Sequence, residues 1–552
     1  MRAFLLAALA LHAGLAGAAT PASCLRAAGT VGLRCLAAYT RALAPCRLAA
    51  DAGCEAAARA DGGDAARALA AVGVAEAACP DAAAEPLGFL SSADVALRLR
   101  EGCADWGDDL LRTAVSPDPA GLPPALLLCR RETARRLAFL ALAAARVESA
   151  CDVAAFRGTP CARARRDAHL DALAAAARRR IERRCGGLDP LHLGTPATLV
   201  ATVRDHAHHY ALLVTPPNDL GPTAEFGPYP VGITTLPLVD PTRTNVKGTA
   251  PRPVTLEVYY PSTPAAVAGH PKDVATVLGV PLIATPAYRD VARAPGTFPL
   301  VVFSHGSNGV RIQSFFFAAH LASHGYVVAS PDHHGNTFPD TLAGDVDPNA
   351  FVNRPLDISF VIDRLTLGDV PLTADWAGAL DASRIGVSGH SFGGYTAYAL
   401  ASGTFRDPRV RAIFPQAPFS EVFDAAFFAG VAIPSFTVGG TIDETTPFDA
   451  NQQRAFDLLP ATAPVTGLAA LTDAGHFTFS DFCEVPRTLL AFLGGFSEAC
   501  EPRHLTWRHA HQITNYLALN FFDATLRDDP AALGRLAPAV ANRIEDLHVT
   551  VK

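Results

Sequence analysis

No cysteine occurs between Cys185 and Cys483, and no C-x-x-C pair occurs anywhere among the 12 cysteines. Thiolate zinc sites need such closely spaced pairs, so they are excluded. Lys and Arg together number 46 against 53 Asp and Glu, a formal net charge of −7. The chain therefore lacks the positive footprint of a nucleic-acid-binding face. It also lacks long runs of one charge sign, which excludes a polyelectrolyte tail. Past its first residues, no uncharged stretch is long enough to span a bilayer.

What is present points outward from the cytoplasm. The opening "MRAFLLAALALHAGLAGAAT" has a basic residue, Arg2, then an apolar run, then Ala16-Gly17-Ala18. That order predicts a cleavable signal peptide over residues 1–18 and a secreted or periplasmic protein. Ten cysteines fall before residue 190 and two near the other end. Both groups are even, and an exported chain meets an oxidising compartment, so disulfides within each group are expected.

With 552 residues, half of them hydrophobic, the chain predicts more than one domain. Residues 19–190 are rich in Ala, Leu and Arg. Their apolar residues recur at three- and four-residue spacing, which predicts a Cys-rich helical domain. No catalytic constellation is present there, and a structural or partner-binding role is expected. "TLVATV" and "YALLV" read as strands, so 191–225 is expected to hold linker and edge strands. His206, His208 and His209 lie between these runs without acidic or Cys partners at ligand spacing. From residue 226 strand-like and helix-like segments alternate to the end of the chain. This predicts a catalytic α/β domain over 226–552 with a mostly parallel sheet covered on both faces.

Ligands of such sheets bind beyond the carboxyl ends of the strands. There the sequence "RIGVSGHSFGGYTAYAL" places Gly389-His390-Ser391-Phe392-Gly393, a G-x-S-x-G pattern. A strand precedes it and a helix follows, the context a nucleophile elbow requires. Ser391 is the expected nucleophile. A hydroxyl needs a base, and the chain order Ser…Asp/Glu…His selects His476 in "DAGHFTF". Asp443, just past "IPSFTVGG", is the expected acid. Glu444 is expected to point elsewhere, and Asp473 to form a turn. The oxyanion is expected to be held by backbone N–H groups of Phe392 and of Ser307, with Asn308 the weaker alternative to Ser307. Neither metal nor cofactor enters this reading. Phe419, Phe423, Phe427 and Phe428 are expected either to line an acyl pocket or to pack on the sheet. A bridge between Cys483 and Cys500 would brace the His476 loop.

"FPLVVFSHGSNG", "HLASHGYVV", "SGHSFGG" and "AGHFTFSDFC" resemble the platelet-activating factor acetylhydrolase group of α/β-hydrolases. They also resemble bacterial cutinase-like polyesterases and dienelactone-hydrolase-like proteins. The resemblance covers roughly residues 226–530. It implies an eight-stranded α/β-hydrolase fold, a Ser-His-Asp triad, no metal and ester substrates. Gln416 stands where the animal phospholipase-type members carry the acid, so the carboxylate must come from the next strand, as Asp443 does. The expected activity is that of a serine ester hydrolase on lipid-type or short-acyl esters. The alternatives are a cutinase-like polyester hydrolase and a non-catalytic binding protein on a hydrolase fold.

Overall fold

The computed structural model describes residues 19–115, 119–186, 188, 191–216, 220–367, 376, 378–463, 465–487, 490 and 500–552. The expected signal peptide lies outside the described residues. The chain divides into two compact units, Met1–Asn218 and Asp219–Lys552.

The first unit is helical. Its long helices are α1 (Pro21–Ala49), α2 (Ser92–Ala114), α3 (Pro124–Phe156), α4 (Arg163–Cys185) and α5 (Pro196–Val214). Helix α1 starts where the Thr20 side chain accepts from the Ser23 amide, with Pro21 in the first turn, where a missing N–H costs nothing. Its buried stripe includes Cys24, Leu25, Ala28, Leu36 and Leu43. At its other end the buried Arg130 guanidinium donates to the carbonyls of Arg47 and Leu48. The Arg47 carbonyl also accepts from the Ala50 amide at the C-cap, and both carbonyls lie at the helix's negative pole. Five disulfides cross-link the unit: Cys24–Cys79, Cys35–Cys103, Cys46–Cys54, Cys129–Cys185 and Cys151–Cys161. Alanine faces bury little area each, so these bonds supplement a thin core.

The segment expected to form edge strands is instead helix α5. "TLVATV" and "YALLV" lie on one continuous helix with Leu199, Val203, Ala207, Tyr210 and Val214 buried. Its first three turns bury one stripe and leave Ala197, Thr198, Ala201, Thr202 and Asp205 exposed, but the short apolar runs at its two ends, read separately, mimic strands. The Thr195 side chain and Pro196 mark its start as they do for α1. His206 and His208 meet acids distant in sequence. His206 Nδ1 lies 2.5 Å from Asp109, and His208 Nδ1 lies 3.6 Å from Glu148.

The second unit is built on one sheet. Its strands are β1 (Val231–Thr244), β2 (Pro251–Pro261), β3 (Val274–Val277), β4 (Val280–Ala284), β5 (Ala287–Arg289) and β6 (Phe298–Ser304). They continue with β7 (Val327–Pro331), β8 (Leu380–His390), β9 (Val410–Gln416), β10 (Ser435–Gly440), β11 (Thr466–Leu471) and β12 (Leu547–Val551). The order is β12-β11-β10-β9-β8-β6-β7-β2-β1-β5, with β3 and β4 as a separate hairpin. Strands β6 to β11 run parallel to one another, while β1, β2 and β12 pair antiparallel. The run from β1 to β11 is the eight-stranded α/β-hydrolase sheet, and β5 and β12 extend it at its two edges. The parallel strands are apolar on both faces because helices cover both. Helices α7 (Ala350–Thr366) and α8 (Phe392–Ala401) supply Ile358, Ile362 and Tyr398 to the core around Leu300, Val302 and Val387. On the other face α6 (Phe315–Ser323) and α9 (Trp507–Leu526) bring Phe317 against Phe303 and Phe522 against Phe414. The closing helix α9 is buried nearly all round rather than along one stripe.

Candidate active site

Strand β8 ends at His390 and helix α8 begins at Phe392, so Ser391 alone makes the turn. Its backbone sits at φ 58°, ψ −117°. A non-glycine residue held at positive φ is strained and persists only where its surroundings over-determine it. Here the Ser391 amide donates to the Gln416 carbonyl at 2.9 Å, and its carbonyl accepts from Phe419 at 3.0 Å. A Cβ on Gly393 would strike the Ser304 carbonyl at the end of β6, and one on Gly389 would strike the Gly393 carbonyl. The turn closes only with glycine at both positions.

Past β10, Asp443 accepts at Oδ1 from the amides of Thr445 (2.9 Å) and Thr446 (2.6 Å). Its Oδ2 lies 2.8 Å from Nδ1 of His476, on the loop after β11. Both side chains are buried. The Thr446 hydroxyl lies 2.9 Å from Asp443 Oδ2 and 3.1 Å from His476 Nδ1, a contact that sequence reasoning missed. Nδ1–H donating to a carboxylate leaves Nε2 unprotonated, the tautomer of a general base. Glu444 turns away to Arg503 at 2.8 Å, and Asp473 sits in a turn at φ 56°. Gln416 ends β9, fully buried.

The His476 loop lies against the elbow. The ring centroids of His390 and His476 are 4.6 Å apart, and His390 Nε2 lies 2.9 Å from the His476 carbonyl. The Ser391 side chain makes no hydrogen bond among the described residues. The loop after β6 also reaches the elbow, where a Cβ on Gly306 would stand 3.5 Å from the Ser391 Cβ. Ser307 and Asn308 there are exposed, and the Asn308 side chain accepts from Thr341 at 2.7 Å. The Gly306 amide donates to Gln313 Oε1 at 3.0 Å. The amides of Ser307 and Phe392 have no acceptor among the described residues.

Beneath this loop lies a buried polar network that the sequence did not announce. Arg354 from α7 donates to the carbonyl of His305, to the Ser304 hydroxyl (3.1 Å) and to Asn336 Oδ1. Its guanidinium stands 4.6 Å from the centre of the Phe392 ring, and burial draws its pKa down to about 9. His333 lies 2.8 Å from the Ser304 hydroxyl and 3.0 Å from Asp357, which Arg252 grips through two bonds of 2.8 and 2.9 Å. Burial pushes the His333 imidazole down to about 3, so it is neutral. Of the aromatic residues, Phe428 is core, Phe423 stacks on Tyr395 at 4.9 Å, and Phe351 reaches solvent beside Phe392 and Phe419.

Residues 271–413 match the chlorophyllase family model, a span that holds Ser391 but ends before Asp443 and His476. The chain is 25% identical over 185 residues to cutinase Est1 of Thermobifida alba, covering 34% of this chain and 55% of that protein. It is 27% identical over 203 residues to chlorophyllase type 0 of Chenopodium album, covering 34% and 51%. It thus spans about half the length of the curated relatives it matches. A ferulic acid esterase structure from Streptomyces cinnamoneus aligns with TM-score 0.44 at 28% identity, over 58% of this chain and 96% of that one.

Proposed function

We propose that this protein is an exported serine carboxylic-ester hydrolase. The observation that carries the reading is the 2.8 Å Asp443–His476 contact beside a serine held at φ 58° on a strand-to-helix turn. The similarity to cutinases and chlorophyllase supports it. Ser391 Oγ attacks the ester carbonyl carbon as its proton passes to His476 Nε2, and Asp443 balances the imidazolium charge. The carbonyl oxygen becomes an oxyanion, held by the N–H groups of Phe392 and Ser307. The imidazolium gives its proton to the leaving alcohol. An acyl group remains on Ser391, and water activated by His476 releases it as the acid.

Export is proposed from the leader-like first residues and the six disulfides. For substrate, a lipid-type or short-acyl ester of the platelet-activating factor acetylhydrolase kind is one reading. A cutinase-like polyester is the other, and the similarity to cutinases favours it. Exposed Phe351, Val352 and Leu342 support an apolar acyl or polymer in either case. The test is fluorophosphonate labelling together with turnover of short p-nitrophenyl esters and polyester oligomers. Ser391→Ala is expected to abolish labelling, and labelling that persists in this variant refutes the assignment.

A further inference from the structure

Three loops must hold registry for this chemistry: the one after β6, the elbow and the His476 loop. One buried pair of side chains joins all three. The Gly306 N–H donates to Gln313 Oε1 at 3.0 Å, Gln313 Nε2 lies 2.9 Å from His390 Nδ1, and His390 Nε2 lies 2.9 Å from the His476 carbonyl. Gln313 and His390 are 5% and 1% exposed, so water does not substitute for these bonds.

The chain has a direction fixed at its first link. A backbone N–H only donates, so it fixes the amide oxygen of Gln313. The amide nitrogen is then the group facing His390 and must donate to Nδ1. The imidazole proton therefore sits on Nε2, where it donates to the His476 carbonyl. Every polar atom along the path has one role, and no alternative tautomer satisfies both ends. Burial and the neighbouring His476 hold the His390 imidazole well below the ordinary histidine range, consistent with a neutral ring. The backbone repeats the link: the Gln313 carbonyl accepts from the Asp481 amide at 2.9 Å, and Asp481 Oδ2 accepts from Phe316 at 3.0 Å.

We infer that Gln313 and His390 are positioning residues, a directional relay that sets the oxyanion loop and the general base against Ser391. The inference rests on the hydrolase reading above. A relay of this kind acts on the transition state more than on substrate binding, so its loss lowers kcat and leaves KM.

The test uses the full-length protein and p-nitrophenyl acetate. Gln313→Leu keeps the side chain's approximate bulk and removes both polar atoms. It is expected to lower kcat about 10²-fold with KM within about twofold. A second pair covers the case in which that variant does not fold. His390→Gln retains an N–H donor able to reach the His476 carbonyl, whereas His390→Leu does not. His390→Gln is expected to keep a kcat at least about tenfold above that of His390→Leu at similar KM. The relay is overturned if Gln313→Leu and both His390 variants turn over within about threefold of the wild type, or if only KM moves. Fluorophosphonate labelling of the wild type separates the two levels. A labelled, active wild type with indifferent variants removes the relay alone, whereas an unlabelled, inactive wild type removes the hydrolase reading and the relay with it.

Discussion

Nδ1 of His476 lies 2.8 Å from Oδ2 of Asp443, and Asp443 Oδ1 is held by two backbone amides. The carboxylate is thus oriented before any charge develops on the ring. Asp443→Asn keeps the size but presents an amide N–H or a neutral oxygen to Nδ1, which destabilises the working tautomer and its protonated form. A fall in kcat of about 10⁴-fold is expected, the size seen for the same exchange in serine protease triads. Steady-state ester turnover, with circular dichroism to verify folding, checks it.

Gly393 and Gly534 make a matched pair. A Cβ at Gly393 lands on the Ser304 carbonyl, whereas one at Gly534, on the short helix Pro530–Leu536, meets nothing within 4 Å. Gly393→Ala is expected to cost more than about 3 kcal/mol or to prevent folding, because backbone on β6 must move. Gly534→Ala is expected to stabilise by about 0.5–1 kcal/mol through lower unfolded-chain entropy. Urea unfolding of both variants decides the matter. Equal effects would mean that the elbow is not closely packed.

The elbow was legible in the sequence because local signals agree there: a strand, a glycine-flanked serine and a helix. That Asp443 and His476 meet was anticipated from strand ends and chain order. The Cys483–Cys500 bond follows from even cysteine counts at the two ends of the chain. Other features were not legible for physical reasons. Helix α5 buries Leu199, Val203, Ala207 and Tyr210 at helical spacing, but the histidine-rich stretch in its middle splits it into two short apolar runs, each of which reads locally as a strand. Gln313, His333 and Arg354 are polar residues whose partners lie on other elements, and no local spacing marks them. Thr446 was missed for the same reason, since its role depends on the loop fold that Asp443 caps.

Arg354 donates from α7 into the loop that precedes Ser307, to acceptors with no route to water. Arg354→Met removes those donors and leaves the His305 carbonyl and the Asn336 side chain short of partners. Each unsatisfied buried group costs roughly 1–3 kcal/mol, so a total near 3–5 kcal/mol is expected. Arg354→Lys, a compact point charge, is expected to recover less than half of it. Denaturant midpoints of the three proteins check both expectations.

The Cys483–Cys500 bond closes a loop of 17 residues downstream of His476. In the chain-entropy account its loss costs about 3 kcal/mol. Replacing both residues by serine is expected to lower the thermal midpoint and, by loosening the His476 loop, to lower kcat as well. Calorimetry and turnover on the same preparation test this. Unchanged kcat with a lowered midpoint would confine the bond to stability.

Acid is expected to weaken this fold well above the range where carboxylates titrate. His333 and His511 are held down to about 3 by burial, and burial also lowers His305, His320 and His390. In the unfolded chain these rings protonate near about 6.5. Between that value and the folded one the unfolded state binds more protons, so stability falls as pH falls. Each ring contributes up to about 1.4 kcal/mol per pH unit across that window. Asp481 works in the opposite sense. Burial holds its carboxyl well above the ordinary range, so the folded state keeps a proton that the unfolded state releases. Burial raises Asp205 and Asp332 in the same way and also lowers His324, so three carboxyls stand against six imidazoles, a net loss toward acid. The thermal midpoint is expected to drop steadily from about pH 6.5 to about pH 4.5. His511, stacked on Phe316 at 3.6 Å, isolates one contributor. His511→Gln is expected to flatten the slope by about one proton, and a slope unchanged in that variant would assign the acid sensitivity to other groups.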